Sequence, residues 1–183
     1  MTSQASPART STLVSILPGT TSLSRSVRNV GLALAGSALL ALSAKIQVPF
    51  WPVPMTMQTF AVIVLAMAFG ARLGAATVAL YLLEGAVGLP VFAGTPEKGI
   101  GLAYMMGPTG GYLAGFLVAA GLAGWMAERG WDRSFLKATA VNALATAVIF
   151  TGGLAWLAVL VGPAKAVAVG LTPFLAASAF KIA

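Results

Sequence analysis

At 183 residues the chain has room for one domain, and 58% hydrophobic residues against 8% charged sets it apart from soluble domains, where about a quarter of residues carry charge. It reads as an integral membrane protein. The net charge of +7 comes from 11 Lys and Arg scattered between apolar runs, which excludes a nucleic-acid patch, and the absence of Cys and His removes disulfides, the commonest metal ligands and the commonest general base.

Residues 1 to 24 are rich in Ser, Thr, Ala and Pro with a single basic residue, Arg9. They show no apolar periodicity and are expected to form a disordered cytoplasmic tail. Residues 25 to 183 are expected to form a single transmembrane domain. Arg25 and Arg28 before the apolar stretch Val30 to Leu42 resemble a secretory signal, but further apolar runs follow, so an uncleaved first span is the reading. Within it Ala33, Ser37 and Ala41 recur every fourth residue. Such small-residue strips let helices approach closely in lipid, either inside the bundle or against a separate membrane subunit.

Gln47 to Gln58 holds three Pro within six residues together with Phe50 and Trp51, which forces extended backbone. It is either an interfacial loop with an aromatic anchor or a stiff lid over a pocket. Thr56 to Ala71 reads as a second span and Gly74 to Gly88 as a third. The third carries Tyr81 and Glu84, one of four acidic residues in the chain. A carboxylate at membrane depth is a functional candidate, although Gly85 and Gly88 place it near a helix end.

From Gly88 to Phe116 the sequence turns rich in Gly, Pro and aromatics. A helix carries such a run poorly, because Pro removes a donor and Gly adds backbone freedom. Irregular backbone beside a bilayer must be buried in protein or line a cavity, so this break is the candidate ligand site. Gly107 to Tyr112 could present backbone N–H groups and the Thr109 hydroxyl to a polar ligand. It does not match a phosphate loop. Phe50, Trp51, Tyr81, Phe92, Tyr104 and Tyr112 cluster around the breaks, as a pocket lining or as an interfacial belt.

Gly110 to Met126 is a fourth span, Glu128 to Lys137 a polar connector, and Lys137 to Leu160 a fifth span with Asn142, Thr146 and Thr151 as a polar stripe for contacts between helices. Gly162 to Lys165 reads as another break. A sixth span, interrupted by Pro173, reaches Ala183 short of bilayer length, so a truncated last helix is expected. Lys181 in that span would bind an anion, snorkel to an interface or stand exposed. With the N-terminus cytoplasmic, most basic residues collect on that side, as the positive-inside rule requires. The three breaks then share the outer face.

Taken together, Val48-Pro49, Pro52 to Thr59, Gly70 to Gly74, Tyr81 to Gly94, Gly107 to Tyr112 with Gly115-Phe116, and Pro173-Phe174-Leu175 with Lys181 resemble the BioY family, biotin-binding S components of energy-coupling-factor (ECF) transporters. The resemblance runs from about residue 30 to the end. It implies an all-α, six-transmembrane-helix bundle in the inner, cytoplasmic membrane, both termini cytoplasmic, that captures biotin from outside without a cofactor of its own. ATP would be used by partner ATPase subunits, joined through a coupling transmembrane subunit docked on Ala33, Ser37 and Ala41. If the chain works alone, a homo-oligomer is the option. By the same likeness Lys181 would meet the biotin carboxylate, Gly94 and the segment Gly101 to Tyr112, including Tyr104, Gly107, Thr109 and Gly111, would shape the ring pocket, and Trp51 with Val53 would close it. Gln58, Tyr81 and Phe92 complete the expected site. Where family members have Asp three residues before the Lys, this chain has Ser178, which puts one polar contact in doubt. The competing reading is a membrane scaffold that assembles other proteins through small-residue helix faces and binds no solute; an enzyme is not expected.

Overall fold

A computed structural model describes Thr12 and residues 22–48 and 53–172. The expected disordered tail falls almost wholly outside those residues, as do Trp51, Ser178, Lys181 and the end of the last span.

Among the described residues seven α-helices follow one another: α1 (Ser22–Lys45), α2 (Gln58–Phe69), α3 (Ala71–Ala86), α4 (Gly101–Met105), α5 (Gly110–Ala127), α6 (Phe135–Val161) and α7 (Pro163–Gly170). A 3-10 turn at Trp131–Arg133 separates α5 from α6. α1 is already helical at Ser22, where the described residues resume. The described residues are mostly helical, as expected; the proline-rich stretch between α1 and α2 only starts and ends as a two-residue antiparallel pair, with β1 (Gln47–Val48) opposite β2 (Met55–Thr56).

Residues 24–45, Gly110–Ala127 and Phe135–Val161 are long and apolar enough to cross a membrane, and the 12-residue α2 is a shorter apolar helix. Of the six spans expected, the described residues contain three helices of this kind. α5 is the central one, with 61% of its most apolar window buried against 28% for α1 and for α6. It packs on α2, α3 and α6, while α1 lies against α3 and α7 against α6.

The α5–α6 contact is backbone on backbone. A Cβ at Gly111 would collide with Trp156 and the Gly152 carbonyl, and one at Gly115 would come within 2.9 Å of the Ile149 Cα. Small residues permit that approach, and dispersion at short range holds it. At the opposite end of the bundle from the breaks, Gly70 joins α2 to α3 at φ +82°, a conformation that favours glycine. There Glu128 accepts the Ala71 N–H at 2.9 Å, filling one of the donors that a helix start leaves open.

The Gly162 break is shorter than expected. Pro163 opens α7 directly after it, since a proline at the first helical position forfeits no hydrogen bond. The small-residue strip of α1 also resolves. Ser37 is 1% exposed and donates to Glu84 on α3, and a Cβ at neighbouring Gly36 would run into Thr77. Ser37 therefore serves packing within the bundle and is a correction to the expected partner surface. Ala33 and Ala41 are half-buried.

Candidate functional site

The proline-rich stretch and the Gly88–Phe116 break meet at one end of the bundle around a cavity of about 50 Å³, tighter than the roughly 300–1,000 Å³ usual for ligand-sized sites. Its walls come from two sources. Val53, Pro54 and Thr56 of the proline-rich stretch, Ala93 of the long break, Tyr104 of α4 and Thr109 form the loop side. Gln58 and Thr59 at the start of α2, Tyr112, Leu113 and Phe116 of α5, and Ile149 and Phe150 of α6 form the helical side. The lining is mostly apolar with a few polar tips, which suits a ligand that has a ring body and a small number of hydrogen-bonding atoms.

Those polar tips are held by a buried relay. The Gln58 amide Nε2 donates to the Tyr81 hydroxyl at 2.6 Å, and that hydroxyl donates to the Val91 carbonyl at 3.2 Å. Tyr81 is fully buried, so it stands behind Gln58 and fixes its orientation. Phe92 stacks on Tyr104 with ring centroids 5.1 Å apart and meets Tyr81 edge-on at 5.4 Å. The Phe92 ring occupies the space a side chain at Gly85 would need, which explains a glycine near the end of α3.

Tyr104 donates its hydroxyl to the Ala93 carbonyl, closing the break onto α4. Burial pushes the Tyr104 phenol above its ordinary pKa, partly offset by a hydrogen bond with Thr109, so it remains a neutral donor. Lys45, the last residue of α1, donates through Nζ to the carbonyls of Phe92 and Thr95 at 3.1 and 3.0 Å and to the Thr95 hydroxyl at 3.3 Å. Trp156 donates to the Gly107 carbonyl at 2.9 Å. Tyr112 donates to the Gly170 carbonyl at 2.8 Å, tying the end of α7 to the cavity wall.

Of the residues singled out from sequence, Val53, Gln58, Tyr104, Thr109 and Tyr112 line this cavity. Tyr81 and Phe92 lie behind it. Gly107 borders an adjoining side cavity together with Tyr104 and Thr109, and Gly94 lies under the Lys98 stem. Gly111 faces α6 instead of the cavity, for the close-approach reason given above. Trp51, Ser178 and Lys181 lie outside the described residues. Ile149 and Phe150 were not anticipated, because an apolar residue in an apolar helix carries no mark of the face it presents. The polar stripe of α6 does not reach the site as a unit: Thr151 is exposed and donates to the Ala147 carbonyl of its own helix.

Comparison with known proteins places this geometry in context. The model of the BioY family matches residues 11–183. The probable biotin transporter BioY of Pyrococcus horikoshii is 36% identical over 156 residues, covering 85% of this chain and 90% of the relative. The biotin transporter BioY of Thermotoga maritima is 40% identical over 140 residues, covering 76% and 80%. In fold, the chain is similar to the crystal structure of the S-component for biotin from an ECF-type ABC transporter, with a TM-score of 0.75 at 20% identity over 90% of this chain and 89% of that one. A match through nearly the whole length, including every segment that walls the cavity, means that this chain belongs to the BioY family.

Proposed function

We propose that this chain captures biotin and serves its uptake across the cytoplasmic membrane as the substrate-binding subunit of an ECF-type transporter. The observation that carries the reading is the cavity between the loop segments and the α5–α6 wall, all of whose lining lies within the residues matched by the BioY family, to which relatives named biotin transporters are similar. Biotin presents a fused ring pair with a ureido group and a chain ending in a carboxylate. Leu113, Phe116, Ile149 and Phe150 offer apolar surface to the rings, and the fixed Gln58 amide with the Thr109 hydroxyl complements the ureido donors and acceptor.

Several finer features belong to this proposal. The bundle would cross the inner membrane six times with both termini in the cytoplasm and the cavity opening outward, as the distribution of Lys and Arg favours. Lys181 would pair with the carboxylate, and Trp51 with Val53 would close the lid. Energy would come from a coupling subunit and ATPases, with no cofactor held here. Of the small-residue strip, Ala33 would be the part offered to that coupling subunit, since Ala41 packs against the core and Ser37 is engaged with Glu84.

Isothermal titration of the purified chain with biotin and with a second vitamin tests the reading. Biotin is expected to bind and the other vitamin to fail, and Lys181→Ala should weaken biotin more than about tenfold, since a charge-assisted contact contributes roughly 1.5–3 kcal/mol. Absence of biotin binding would overturn the function.

A further inference from the structure

Beside the main cavity lies a second small one of about 60 Å³. The two lie on either side of Pro54, Tyr104 and Thr109, which line both. The side cavity contains a feature that the main one lacks among the described residues, a charged side chain: Lys98. Lys98 is exposed, as is Glu97, its neighbour in sequence, which lines neither space.

Lys98 does not hang freely from its loop. Its backbone N–H bonds to the Gly94 carbonyl at 2.8 Å, and its stem runs over Gly94 so closely that a Cβ there would lie 2.9 Å from the Lys98 Cδ and 3.3 Å from Cε. Gly94 also holds φ at +72°, a value that admits glycine readily. The loop that carries both is fastened by Lys45 at Phe92 and Thr95. An ammonium on a stem laid along anchored backbone is a placed charge at the mouth of the site. Gly94, singled out from sequence as part of the ring pocket, acts here by leaving room for that stem.

We infer that Lys98 makes the side cavity an entry subsite for the carboxylate of an incoming ligand, drawing the anion to the mouth before the rings settle into the main cavity. This rests on the biotin reading above and adds to it a residue that governs arrival. A charge at a low-dielectric opening raises the local concentration of its counter-ion and therefore the association rate, and salt weakens that effect.

The test is stopped-flow association of the full chain with biotin and with its neutral carboxamide, at low and high salt. Lys98→Gln should slow biotin association roughly fivefold at low salt and flatten its salt dependence, leaving association of the carboxamide unchanged. Lys98→Arg should restore the rate. Equal slowing of both ligands would mean that Lys98 acts through loop shape, and an unaltered biotin rate would mean that it does not meet the carboxylate; either overturns the inference while leaving biotin binding intact. Failure of the unaltered chain to bind either ligand would instead overturn the function beneath it.

Discussion

Replacing Tyr81 with Phe removes a single oxygen from a fully buried ring and breaks two hydrogen bonds, one received from Gln58 at 2.6 Å and one given to Val91 at 3.2 Å. A buried hydrogen bond contributes about 0.5–1.5 kcal/mol net, and bonds between helices in apolar surroundings average nearer 0.6 kcal/mol. The expected loss of stability is therefore about 1–2 kcal/mol, or roughly 3–6 °C in melting temperature for a chain of this size. The Gln58 amide also loses the partner that fixes it at the cavity wall, so biotin should bind about three- to tenfold more weakly, an energy of roughly 1 kcal/mol. Melting in detergent and titration calorimetry on Tyr81→Phe, Gln58→Leu and the double variant form a thermodynamic cycle. The double variant should lose about 1 kcal/mol less than the sum of the two singles, because each single strands the other's polar group. Additive losses, or a Tyr81→Phe protein with unaltered melting and affinity, would refute the claim that this relay orients the amide.

Two glycines of α5 should behave oppositely. Gly115→Ala places a methyl 2.9 Å from the Ile149 Cα and 3.1 Å from its carbonyl oxygen, and this overpacking should destabilise the protein by about 1–3 kcal/mol. Gly121→Ala meets nothing within 4 Å and should stabilise by roughly 0.5–1 kcal/mol through helix propensity; thermal melting of the two variants side by side checks both signs. Lys45→Met deletes three hydrogen bonds to the Phe92–Thr95 loop without touching the packing between helices. Calorimetry should show biotin affinity lowered several-fold, while the melting temperature moves by less than about 3 °C.

How far the sequence anticipated this structure depends on what each residue has to decide. α5 and α6 were readable within two or three residues, because Gly and Pro bracket apolar runs that nothing interrupts. The stretch from Gly88 to Phe116 was readable as a site for the converse reason: so many helix breakers beside membrane-length runs leave few structures other than a cavity wall. α4 escaped notice, since five residues between glycines show no period. Ile149 and Phe150 escaped too, because which side of an apolar helix faces a cavity is settled by packing against α5 and leaves no trace in composition. Ser37 was ambiguous for a related reason. Its spacing with Ala33 and Ala41 suits either an outer or an inner contact, and the choice is made by Glu84, 47 residues away.

The two sides of the cavity are held by different physics, and that difference predicts which of them moves. The helical side is carried by α5 and α6, whose backbones touch at Gly111 and Gly115; close-packed backbones of this kind resist local opening. The loop side hangs on a few discrete hydrogen bonds, from Lys45 to Phe92 and Thr95, from Tyr104 to Ala93 and from Trp156 to Gly107. Such segments open at lower free energy than packed helices. Ligand entry should therefore proceed by loosening residues 88–109 against a fixed α5–α6 wall. Hydrogen exchange with and without biotin is expected to show protection rising at least several-fold in amides of 88–109, with those of 113–127 nearly unchanged. Equal gains in both segments would mean that the helices themselves part to admit the ligand, and the division between a rigid and a yielding wall would fall.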